Sequence, residues 1–223
     1  RRVLFRSFDA QMVTGGYPRL LMEWRRCRTW SRFLREQLGD ENSDLMVIAS
    51  RVLSAEFPIE LQARVVLSAL GSGERTYSGL QSLAGLGAAG LSRALEVLRH
   101  DKRMVAVEHP LSTRSSRESR YRIADPYLRF WLRFLEPSAA DIARGRPDLA
   151  HARIERDWSA WRGRAIEPLL RESVLRVCAE HPDFAEVGAV GGWWNRTGDV
   201  EVDLVGADRG PVAKRVDRKS TRL

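Results

Sequence analysis

Apolar positions recur at helical spacing along most of this chain and switch to strand-like alternation in only two stretches. Leu20, Leu21 and Trp24 follow a turn at Gly15-Gly16-Tyr17-Pro18, and Leu45, Ile48, Ala49, Val52 and Leu53 lie three and four apart, as on one face of a helix. Pro58 punctuates the next start. Leu61, Val65, Val66, Ala69 and Leu70 predict a helix that stops at Gly71-Ser72-Gly73. Two more are predicted over about 77–84 and 88–100, the second with Leu91, Ala94, Leu95 and Leu98 on one face. Met104–Glu108 then reads as a strand, a Ser/Arg-rich loop follows, and Tyr121–Ile123 returns as its partner.

Asp125 is placed to cap a helix whose first position is Pro126. Leu128, Trp131, Leu132 and Leu135 follow, with Phe130 and Phe134 on an adjoining stripe. Aromatic residues at this spacing read as core. Trp158 and Trp161 fall on another amphipathic segment. Gly163–Ala179 is expected to be a separate helix with Ile166, Leu169, Leu170, Val174, Leu175 and Val177 inward, which requires Pro168 in its first turn. Val187–Trp194 and Asp199–Val205 predict a hairpin around Asn195-Arg196-Thr197-Gly198. The expected class is mostly α with a smaller α/β part, in three blocks over 8–60, 61–124 and 125–216.

Composition first suggests a nucleic-acid binder: 37 Lys+Arg stand against 29 Asp+Glu, a formal charge of +8 in 223 residues. The two ends change that picture. RRVLFRS and DRKSTRL back-translate to one stretch of about twenty nucleotides read on opposite strands, which resembles a library adapter translated as protein. Residues 1–7 and 217–223 are therefore set aside, and the rest is expected to be a window from a longer protein. The head carries +3 and the tail +2, so residues 8–216 keep only +3. The 34 arginines against three lysines are in keeping with GC-rich codon usage. Cys27 and Cys178 stand in no metal-ligand or redox spacing, and no apolar run approaches the ~18 residues that span a bilayer. The expectation is a soluble, cytoplasmic protein without membrane partners.

Three helices followed by a two-stranded wing outline a winged helix-turn-helix, whose third helix enters the major groove. Ser92 and Arg93, with Glu96 and Arg99, would lie on the exposed part of that helix. Arg114, Arg117, Arg120 and Arg122 decorate the wing. Guanidinium forks suit phosphate oxygens. The plainer alternative is a module that packs between neighbouring domains, with a solvated wing loop, and Glu96 and Glu118 dilute the positive patch. Gly85-Leu86-Gly87-Ala88-Ala89-Gly90 fits G-x-G-x-x-G, but a nucleotide loop needs a preceding strand, and Leu80, Leu83 and Ala84 predict a helix there. The glycines read as a helix-helix turn.

YRIADPYLRFWLRFLEP (121–137), WRGRAIEPLLRE (161–172) and VGGWWNRTGDVEVDLVG (190–206) together resemble the archaeal-type ATPase family and its C-terminal domain of uncharacterised function. Such proteins are similar to AAA+ and STAND-type P-loop ATPases. The resemblance covers nearly all of residues 12–216 and implies a helical lid over 8–60, a winged helix over 61–124 and a truncated domain related to PD-(D/E)xK nucleases, a restriction-endonuclease-like α/β fold, over 125–216. It also implies an upstream P-loop domain that binds ATP and Mg²⁺ in the parent protein, neither being expected to bind this fragment tightly. VTGGYPRLL (13–21) looks like the family's lid motif, which would assign Gly16 and Pro18 to closing over nucleotide. A simple helix-entry turn satisfies the same residues.

The nuclease-like resemblance implies a catalytic set of Glu167, Glu201 and Asp203, with Glu167 and Asp203 holding the metal. Converging carboxylates suit a hard Mg²⁺ that activates water against a phosphodiester. The acidic-x-Lys strand that should follow is not matched, since Val212 stands two before Lys214. Three functions remain open: the C-terminal part of an ATP-dependent regulatory switch, a nuclease or DNA-processing protein, and a winged-helix regulator whose last domain makes only protein contacts.

Overall fold

A computed structural model describes residues 2–57 and 61–217; the start predicted at Pro58 and the tail from 218 lie outside them. Mostly helical with a smaller α/β part, the chain divides into two compact units, 1–106 with 121–165 and 107–120 with 166–223. Among the described residues no helix is long and apolar enough to cross a membrane.

The first unit begins with α1 (Arg2–Thr14), α2 (Pro18–Cys27), α3 (Trp30–Leu38) and α4 (Asp44–Glu56). α5 (Leu61–Gly71), α6 (Tyr77–Ala84) and α7 (Ala88–Glu96) follow, the last extended by a wider turn over Val97–Asp101. β1 (Val105–Glu108) and β2 (Arg120–Ile123) form a two-stranded sheet. Arg75 adds a third rung by exchanging both backbone hydrogen bonds with Tyr121, at 3.0 and 2.7 Å. The predicted order of three helices and a hairpin is present. Local signals explain its accuracy: the Thr76 hydroxyl caps α6 at Gly79 N, and Gly85 ends it at φ +64°. Val65, expected inside, is 42% exposed, and Ala63, Val66, Leu67 and Leu70 make the buried stripe of α5.

α8 (Pro126–Phe130) starts as predicted, with Asp125 Oδ1 accepting from Leu128 N at 2.6 Å, and continues as a wider turn over Trp131–Leu135. Burial pushes the Asp125 carboxyl up, above the usual carboxylate range, while its backbone hydrogen bonds pull the other way. A raised folded pKa contributes stability at low pH that is lost as pH climbs past the unfolded value near 4. Asp125→Asn keeps a good cap and removes the buried charge. It is expected to be as stable as the parent or more so at pH 7, and to lag behind it near pH 3; denaturant midpoints at both pH values check this.

After α9 (Ala139–Ala143), α10 runs unbroken over Pro147–Glu180. This corrects the expectation of a separate helix at Gly163 with Pro168 in its first turn: Pro168 sits mid-helix, forfeiting the ladder bond to Arg164. Trp158 and Trp161 belong to this same helix and pack on Phe130, with centroids 6.3 and 5.7 Å away. Arg162 Nε meets Asp9 at 2.5 Å. These contacts hold the helix ahead of the proline. Leu170 and Val177 were expected inward but are 39% and 60% exposed.

In the second unit β3 (Ala189–Trp194), β4 (Glu201–Ala207) and β5 (Val216–Asp217) form an antiparallel sheet in sequence order. Its small core joins Val205, Ala207 and Ala213 to Leu111, which the loop after β1 supplies. Leu111 N donates to Gly192 O at 2.8 Å, and Ala213 N donates to Ser112 O at 2.9 Å. The start of the wing loop, Pro110 and Leu111, is therefore packed, while residues 113–117 stay exposed.

Candidate functional site

The carboxylates named from sequence lie in the second unit, around two arginines. β3 advances two residues from Gly191 to Trp193 while β4 advances three from Val202 to Val205. β4 thus carries one extra residue, a bulge at Asp203-Leu204 opposite Gly192. The bulge takes the Asp203 carbonyl out of the ladder, and Arg171 Nε donates to it at 3.1 Å. The same guanidinium reaches Glu108 through Nη1 at 2.6 Å and Glu167, one turn before it on α10, through Nη2 at 3.0 Å. Its side chain is only 10% exposed. A Cβ on Gly192 would stand 2.7 Å from Nη2, so the glycine makes room for the fork.

Arg120 forms the second centre. It bridges Glu201 at 2.6 and 3.3 Å and lies 4.3 Å above the Trp194 ring. Trp194 pairs with Glu201 across the strands, so register and stacking agree. Glu167 and the Asp203 carbonyl share Arg171, whereas Glu201 is held by Arg120, so cations of the chain itself stand against all three positions. Among the described residues no three His, Cys, Asp or Glu side chains are grouped to hold a metal ion. The metal pair Glu167 and Asp203 thus has a guanidinium where Mg²⁺ was expected, and only Asp203's carbonyl, not its carboxylate, meets it. Arg120, named from sequence as a DNA contact, is committed to Glu201 and Trp194.

The remaining DNA candidates differ from one another. In the first unit Leu91, Ala94, Leu95 and Leu98 anchor α7, which leaves Ser92, Arg93 and Glu96 on the exposed side. Tyr77 from α6 props the start of α7: its hydroxyl donates to Ala88 O at 3.0 Å and shares a hydrogen bond with Ser92 Oγ at 2.8 Å. A helix, not a strand, precedes the Gly85–Gly90 run. In the second unit Arg114 and Arg117 are exposed.

The glycine turn before α2 has a packing reason. Gly15 and Gly16 have φ of +59° and +82°, and a Cβ on Gly15 would stand 2.8 Å from Tyr127 Cβ. Pro18 opens α2 as its first residue. The helix-entry reading accounts for Gly16 and Pro18 without a nucleotide. Burial and a hydrogen bond to Glu36 push the Cys27 thiol up, the reverse of an activated thiolate.

Sequence reasoning missed Arg171, Glu108 and Gly192. The Glu167–Arg171 spacing of four was a readable signal; Glu108, 63 positions from Arg171, left none. No curated protein and no solved structure matches the chain. Residues 131–213, 83 of the 223, match the family model DUF234, described as archaeal and bacterial proteins of unknown function.

Proposed function

We propose that this chain is a regulatory, DNA-associated part of an ATP-binding protein, in which the helix-turn-helix of α6 and α7 contacts duplex DNA. The observation that carries it is the exposed Ser92–Arg93–Glu96 side of a well-anchored α7, standing behind a two-glycine turn and ahead of a three-rung wing. The family matched over 131–213 is known from ATPase-associated proteins, which supports an upstream P-loop domain as the partner that would bind ATP and Mg²⁺. The second unit is read as a scaffold rather than a nuclease, because arginines already neutralise Glu167 and Glu201.

Arg93→Ala is expected to weaken binding of a labelled 25-base-pair duplex about fivefold to thirtyfold, roughly 1–2 kcal/mol, in a fluorescence-anisotropy titration at fixed salt. Unchanged affinity would leave α7 as a packing helix and sink the reading.

A further inference from the structure

The surplus positive charge of residues 8–216 is concentrated in one corner of the first unit. Residues 19–36 hold six arginines and two glutamates, a net +4, so the remainder of 8–216 sums to −1. The stretch is all of α2 but its first residue, a tight turn and most of α3. Glu36 gathers part of it: Arg26 reaches its carboxylate at 3.0 Å and Arg32 at 2.6 Å, which holds that carboxyl below its ordinary range. Arg19 is paired with Asp44 at 2.9 Å. Arg25, Arg28 and Arg35 are exposed, and among the described residues none of them has an acidic partner.

Arg28 is also held in an unfavourable backbone conformation, φ +58° and ψ −25°, where Thr29 N donates back to Cys27 O at 2.6 Å. Glycine is the residue that adopts a positive φ without strain. Met22 is the only large apolar side chain exposed on α2 or α3, too little for a lipid surface.

We propose that Arg25, Arg28 and Arg35 form a second, sequence-independent contact to the phosphate backbone of duplex DNA, separate from α7. Forked guanidinium groups without acidic partners suit phosphate oxygens, and their binding releases counterions. The choice of DNA rests on the DNA-associated reading above; the charge surplus itself does not.

The test is a salt series on the full chain with labelled duplexes of two unrelated sequences. The variant R25Q/R28Q/R35Q is compared with a control, R144Q/R164Q/R196Q, which removes the same charge from exposed arginines elsewhere. Circular dichroism confirms that both fold. The corner variant is expected to lower the slope of log K against log salt by about 2–3, equally for both sequences, whereas the control keeps most of it. An unchanged slope in the corner variant, or an equal loss in the control, overturns the proposal. Arg93→Ala separates the two readings: if it has no effect while the corner variant does, the α7 reading fails and this contact stands.

Discussion

Arg171→Ala is expected to destabilise the protein by about 3–5 kcal/mol, the range found when one partner of a buried ion pair is removed. The side chain is nearly buried and donates in three directions, to Glu108, Glu167 and the Asp203 carbonyl, on three separate elements. Truncating it strips two carboxylates of the guanidinium they share and leaves the bulge carbonyl without this donor. Arg171→Lys should recover only part of the loss, because a compact ammonium cannot reach acceptors spread around a planar fork. Urea midpoints at constant m-value measure both variants. A loss under about 1 kcal/mol would show that Arg171 behaves as an exposed pair and that the sheet holds its bulge unaided.

The contrast between the two arginine centres and the α6–α7 region shows where sequence was informative. α6 and α7 begin and end on signals within a few residues, Thr76 at one end and Gly85 at the other, so their bounds were readable. α10 was split because Gly163 and Pro168 are local breakers, and the forces that override them are tertiary: Trp158 and Trp161 on Phe130, and Arg162 on Asp9. Beyond the proline, Leu170 and Val177 read as core by period, but the helix leaves both exposed. The carboxylates were likewise found by resemblance and strand spacing. Their neutralisation depends on an arginine 63 positions from one partner and on a bulge that no periodicity announces.

Tyr127 joins the turn before α2 and the middle of α4 to the start of α8, and Tyr127→Ala is expected to cost about 4–5 kcal/mol. The ring is buried against Gly15 and meets Tyr17 edge-on at 5.4 Å. Its hydroxyl accepts from Ala49 N at 3.1 Å and donates to Leu45 O at 2.9 Å. Those two groups are the ordinary i, i+4 partners of α4, so the phenol is inserted into one bond of that helix and fastens it to the start of α8. Nearby, Trp131 Nε1 donates to Met46 O at 3.0 Å. Tyr127→Phe tests the inserted bond alone. If α4 cannot close the gap, Leu45 O and Ala49 N are left buried and unsatisfied, at a cost of about 1–3 kcal/mol. If α4 closes over the smaller side chain, the loss falls below about 1 kcal/mol, and the bond is a convenience of packing rather than a fastening. The phenol also sets an alkaline limit. Burial raises its pKa well above the ordinary value of 10, so the folded protein keeps the proton that the unfolded chain releases. The stability it contributes is complete below pH 10 and declines above it. Thermal denaturation followed from pH 8 to 11 should show a fall in Tm that is smaller in Tyr127→Phe than in the parent; an identical fall in both would assign the alkaline loss to other groups.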